Sequence, residues 1–222
     1  MLFRSTHLAY HIQKGPERPL GERGNDALNM MRAAGVEYAA IHGPASREHW
    51  RDIRDPDLVA SKLEPVWRDG DDAIYRVPFR GLANFVLPSD LPFGMPVASV
   101  AAYLAPYVAA MDNQDRPSID TEWLSNNQIL LRMPEIRDGY LITLRVSHHS
   151  GWRAWQDGRS IPVKNDPMGN LLLEPRAVAA PAEIRLHFRA GWQQWAGTGV
   201  SLLAMAGCFV GIRRERARLK GV

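Results

Sequence analysis

The chain has 222 residues, 45% hydrophobic and 23% charged, a balance that predicts mostly globular structure. Its single cysteine, Cys208, excludes an intramolecular disulfide and a cysteine-based metal centre. The formal charge of +3 belongs to the last ten residues, "RRERARLKGV", where five basic side chains face Glu215 for a net +4. The remainder then carries −1, which argues against a broad basic surface for nucleic acid.

Residues 1–24 show no hydrophobic period and hold Gly15, Pro16, Pro19, Gly21 and Gly24, so they read as an irregular leading segment. "NDALNMMRAAG" predicts a helix that Asn25 caps and Gly35 stops, with Leu28 and Met31 on one face. "VEYAAIH" has strand character, with Val36, Tyr38 and Ala40 on one side. "ASREHWRDI" and "DPDLVAS" predict short helical turns. "LEPVW" and "AIYRVPF" flank "RDGDD", which predicts a hairpin around Asp69-Gly70 and places the paired acids Asp71 and Asp72 in a solvated turn. "ANFVLP" adds a further strand, so residues 25–95 read as a small α+β domain.

"VASVAAYLAPYVAAMDN" is apolar, but it is short for a membrane span and Pro106 interrupts it. Residues 96–115 therefore read as a connecting helix packed on the domain. From about residue 116 the period becomes two. In "GYLITLRV", Tyr140, Ile142, Leu144 and Val146 alternate with Leu141, Thr143 and Arg145. In "AEIRLHF", Ile184, Leu186 and Phe188 alternate with Glu183, Arg185 and His187. With "TEWL", "QILLRM", "WRAWQ", "SIPV" and "NLLLEP", about seven short strands predict an antiparallel β-sandwich over residues 116–191.

Residues 196–212, "AGTGVSLLAMAGCFVGI", are uncharged. A membrane-spanning helix needs roughly 17–25 apolar residues. Trp192 and Trp195 precede this run as an interfacial belt would, and the arginine-rich tail 213–222 follows it. The reading is a transmembrane helix over 194–212 with a cytoplasmic C-terminus and the bulk of the chain outside. "MLFRSTHLAY" has no apolar core of signal-peptide length, which points to exporting helices upstream in a longer protein. The fold class expected is thus α+β: a small α/β unit, an antiparallel β-sandwich and one C-terminal transmembrane helix.

Within "SHHSGWRAWQDGRSIPV", Trp152 and Trp155 lie three apart on one strand and so point to opposite faces. One can enter the core while the other stays outside. Asp157-Gly158 fits a two-residue hairpin turn, and Gly151 suits a bend before the strand. A structural hairpin accounts for most of this pattern. An exposed Trp152 or Trp155 could also stack on a sugar ring. His148 and His149 diverge on a strand, so they make a poor metal pair. His7, His11, His42 and His49 are scattered, as local hydrogen-bonding histidines are. No catalytic signature or phosphate loop occurs, and no cofactor is expected.

Gly151, Trp152, Asp157, Gly158 and Gly169, followed by "AEIRLHF" and the terminal apolar run, together resemble the C-terminal extracytoplasmic region of YfhO-like bacterial membrane proteins. "ALNMMRAAGVEYAAIH" is similar to that family's helix-then-strand segment, and "VWRDGDDAIYRV" to its next hairpin, through Gly70, Ile74, Tyr75 and Val77. The resemblance spans residues 25–212. It implies a plasma-membrane protein of the GT-C glycosyltransferase type, acting on polyprenyl-phosphate sugars and envelope acceptors, with the lipid bilayer as a partner. The catalytic carboxylate of that architecture lies between early transmembrane helices, so no catalytic residue is expected here. The alternative is a membrane-anchored carbohydrate-binding or assembly module of the cell envelope.

Overall fold

The computed structural model describes residues 20–48, 53, 55–78, 80–91, 100–189, 191, 196–205 and 207–209. The chain divides into two compact units, Met1–His187 and Phe188–Val222. The described residues of the first are α+β, with three mostly antiparallel sheets and few helices.

Helix α1 (Leu20–Ala33) begins before the expected cap at Asn25, so residues 20–24 are helical rather than irregular. Gly24 explains the difference. A β-carbon there would lie 2.5 Å from the Leu58 carbonyl oxygen, so the missing side chain lets α1 approach helix α2 (Pro56–Ala60). A glycine that resembles a helix breaker thus serves close packing. Of the expected turn over 45–53, residues 49–52 lie outside the described residues, and residues 46–48 are not helical.

Strands β1 (Tyr38–His42), β2 (Glu64–Asp69) and β3 (Asp72–Arg76) form a sheet in the order β1-β3-β2. The β2–β3 hairpin turns over Gly70-Asp71, since Asp69 pairs with Asp72 and Gly70 takes a φ of +56°. The acids of this turn have partners. Asp71 Oδ2 accepts the Ala45 N–H at 2.5 Å, and Asp72 Oδ1 lies 2.9 Å from His42 Nδ1. Ala39, Ile41, Ala73 and Tyr75 point inward and bury against Ala27 and Met31 of α1 and Val59 of α2.

Strand β4 (Ala83–Val86) does not extend this small sheet. It pairs with β7 (Leu141–Ser147) in a second sheet of order β10-β11-β7-β4, completed by β10 (Val163–Asn165) and β11 (Asn170–Leu173). Helix α3 (Val100–Met111) covers one face of that sheet. Leu104, Tyr107, Val108 and Met111 pack with Val86, Leu172 and the Met30 and Ala33 face of α1. Helix α1 therefore serves two cores, with Ala27 and Met31 in one and Met30 and Ala33 in the other. Pro106 forfeits one helical hydrogen bond, yet α3 runs through it because the flanking residues Leu104 and Tyr107 are fully buried.

The third sheet has the order β5-β6-β12-β8-β9, from β5 (Asp120–Ser125), β6 (Gln128–Met133), β8 (Trp152–Gln156), β9 (Arg159–Ile161) and β12 (Ala182–Phe188). Its buried row includes Ile129, Leu131, Ile184, Leu186, Ala154 and Ile161. On the second sheet Ile142, Leu144, Leu171 and Leu173 form the matching row. "SIPV" is not one strand: the chain leaves the third sheet at Ile161 and enters the second at Val163. Pro162 sits at the switch, where it has no N–H to offer either ladder.

The described residues of the second unit include helical residues 196–205 and 207–209. Among the described residues no helix is long and apolar enough to cross a membrane. Trp192, Trp195 and the tail 213–222 lie outside them.

Candidate functional site

The β8–β9 hairpin orients the tryptophan pair. Burial alternates along β8, so Trp152, Ala154 and Gln156 face inward, while Arg153 and Trp155 face outward. Trp152 is only 7% exposed, and its ring belongs to the core rather than to a sugar platform. Trp155 is partly exposed on the outer face of the third sheet, opposite Ser160 of β9. The strand beneath it is firmly held. Ala154 is fully buried, and the Gln156 amide clamps the Arg176 backbone, donating to its carbonyl at 2.9 Å and accepting its N–H at 2.7 Å.

Gln156 pairs with Arg159, which leaves Asp157-Gly158 as a two-residue turn. Both take positive φ, +49° and +76°, the backbone a type I′ turn requires. Gly151 lies in the turn before β8, and its N–H donates to His149 Nδ1 at 2.9 Å. Gly169 (φ +85°) ends the turn before β11 and donates its N–H to the Asp166 carbonyl at 3.0 Å. Among the described residues, no cluster of His, Cys, Asp or Glu could hold a metal ion.

A depression of about 480 Å³ opens beside Trp155, lined by Trp155, Asp157, Gly158, Glu183 and Arg185. Glu183 and Arg185 come from β12, whose outward residues are exposed between buried Ala182, Ile184 and Leu186. Glu183 is oriented by two guanidiniums, Arg132 Nε at 3.3 Å and Arg185 at 3.6 Å. Arg132 also reaches Glu122 at 2.7 Å and Asp120 at 3.6 Å. Its pKa lies above the ordinary arginine value, chiefly through the hydrogen bond to Glu122. A cleft of about 800 Å³ lies elsewhere, with Lys62, Arg76, Glu37, Glu64 and Asp120 among its lining and no aromatic ring among its described residues.

Two buried polar clusters escaped the strand-by-strand reading. In the first, Asp166 is 2% exposed and surrounded by donors. Its Oδ2 accepts from Tyr107 Oη at 2.6 Å, Thr143 Oγ1 at 3.0 Å and Asn170 Nδ2 at 3.2 Å. Its Oδ1 accepts the N–H groups of Met168 and Asn170 at 2.8 and 2.7 Å. Burial, reinforced by the Asp166 charge, pushes the Tyr107 phenol far above its ordinary pKa. In the second, Asp112 collects Arg32, the Arg80 N–H at 3.1 Å and Arg145 at 3.2 Å. The Arg145 side chain is 0% exposed. Burial lowers its pKa, and Asp112 opposes that shift.

Both clusters draw on the Leu141, Thr143 and Arg145 row of β7. Thr143 and Arg145 lie under the α1 and α3 layer, so β7 is buried on both faces, with Thr143 Oγ1 bonded to Tyr107 and Asp166 and the Arg145 NH groups to the Gly81 carbonyl and Asp112. "DPMGN" carried a partial signal, since Asp-Pro-x-Gly favours a turn in which the aspartate accepts backbone N–H groups. The partners at Tyr107 and Thr143 are too distant in sequence to be read. No protein-family model, curated protein or solved structure matches the chain.

Proposed function

We propose that the chain is the extracytoplasmic C-terminal portion of a bacterial plasma-membrane protein of the YfhO-like, GT-C type. It is tethered through its terminal apolar helix, with the basic tail in the cytoplasm. Its role is to support transfer of sugars from lipid-linked donors to envelope acceptors without catalysing that transfer alone. The observation that carries this reading is the helix itself. Val200, Leu202, Leu203, Met205 and Phe209 are 56–76% exposed, and they lie around the helix rather than along one stripe. A helix apolar on every side is at rest only in apolar surroundings, and a bilayer supplies them. The uncharged run continues to Ile212 before the arginines begin, which brings its length to the lower limit for a span. The Gly-Trp strand, the Asp-Gly turn and a last strand ahead of the apolar run follow the order that the family likeness expects.

Topology reporters test the proposal. A fluorescent protein fused after Val222 is expected to glow, and alkaline phosphatase fused there to be inactive. The chain should resist carbonate extraction from membranes. Leu203→Arg should weaken anchoring, because a central arginine costs about 2.5–3.5 kcal/mol on insertion. An active phosphatase at the C-terminus, or recovery of the chain in the carbonate wash, overturns the reading.

A further inference from the structure

We infer that the depression beside Trp155 is a subsite for an uncharged pyranose ring. Sugar rings present one face of C–H groups and a rim of hydroxyls. A site for them needs an exposed aromatic face and, around it, oriented polar groups that both donate and accept. The outer face of the third sheet brings these together. Trp155 provides the ring, and Asp157, Glu183 and Arg185 line the same depression of about 480 Å³. Ser160 lies opposite Trp155 on the other side, with its hydroxyl on the same sheet face.

The parts are held before any ligand arrives. Trp155 sits between fully buried Ala154 and the clamped Gln156, on a strand whose first residue, Trp152, is itself core. Arg132 and Arg185 fix the Glu183 carboxylate. The Asp157 backbone is set by the turn geometry. Such prior ordering reduces the entropy lost on binding.

Charge selects among sugars. The depression itself is lined by two carboxylates, Asp157 and Glu183, against one guanidinium, Arg185, which already faces Glu183. Arg132 on the same face is engaged by Glu122 and Glu183, and Arg153 by the backbone carbonyls of Ser150 and Trp152. A uronate or phosphorylated sugar meets net repulsion there, while hydroxyls and acetamido groups can bond to both signs. The inference adds a ligand class to the function proposed above, but it does not depend on the anchor, so the sugar titration and the topology reporters fail independently.

The test is calorimetric titration of the full chain in detergent micelles with N-acetylglucosamine and glucose oligosaccharides, and with glucuronate oligosaccharides as the charged probe. Saturable binding of a neutral oligosaccharide is expected, at least tenfold tighter than that of the uronate. Trp155→Ala should weaken it at least tenfold and Glu183→Gln several-fold. Trp123→Ala, at an exposed tryptophan on β5, should leave it unchanged. Near-UV circular dichroism establishes that each variant keeps its tertiary packing. If Trp155→Ala fails to fold, Trp155→Tyr keeps an aromatic face and should retain most of the binding, while Arg185→Ala should lose it. No saturable binding of the neutral sugars, equal or tighter binding of the uronate, or binding indifferent to Trp155, Glu183 and Arg185 overturns the inference.

Discussion

Tyr107 donates its phenolic hydrogen to Asp166 Oδ2 across 2.6 Å, joining helix α3 to the turn that launches β11. Because burial and the neighbouring carboxylate raise the phenol's pKa, the folded protein holds this proton more tightly than the unfolded chain does. That stabilisation is complete below the unfolded tyrosine value of about 10 and is lost as pH rises from there toward the folded value. Tyr107→Phe is expected to cost about 1–3 kcal/mol at neutral pH, since it removes a buried donor from Asp166. It should also flatten the decline in stability above about pH 10. Urea denaturation at several pH values measures both effects.

The two arginine networks predict opposite outcomes. Asp112→Ala strips the fully buried Arg145 guanidinium of its carboxylate and should destabilise by about 3–5 kcal/mol. Arg132→Ala removes ion pairs from the exposed outer face and should leave the thermal midpoint nearly unchanged. Differential scanning fluorimetry of the two variants side by side checks the contrast.

Two glycines with positive φ separate backbone strain from crowding. At Gly158 nothing lies near an added β-carbon, so Gly158→Ala should cost only the left-handed penalty of about 1–2 kcal/mol. At Gly35 (φ +71°) the same atom would also lie 2.8 Å from the Arg145 β-carbon. Gly35→Ala should therefore cost about 2–5 kcal/mol, the sum of strain and overpacking. Chemical denaturation with a shared m-value resolves the difference.

What the sequence made legible was local. Asp69-Gly70 and Asp157-Gly158 marked hairpins because their turn chemistry is self-contained, and alternation located the strands of the later half. The opposite facing of Trp152 and Trp155 followed from the strand period alone. Pairing was not legible. Nothing within "ANFVLP" reveals that β4 joins β7 rather than β3, and nothing in "SIPV" except its proline marks the passage between sheets. Alternation separated the two rows of β7 but cannot register a helix laid over one of them, so the burial of Thr143 and Arg145 was not legible. The candidate site was half visible: Trp155 and Asp157 stood in one motif, but Glu183 and Arg185 reach them only through the adjacency of β12 and β8.

The placement of β12 has a consequence for biosynthesis. This strand, the last among the described residues, occupies the centre of its sheet, between β6 and β8, and pairs with β6 from Ala182↔Met133 through His187↔Gln128. While the ribosome has yet to release residues 182–188, the sheet exists only as two disconnected ribbons with raw edges. This sheet must therefore stay open until residues 182–188 have emerged, and a premature stop before Ala182 would leave two sticky margins exposed to neighbouring polypeptides.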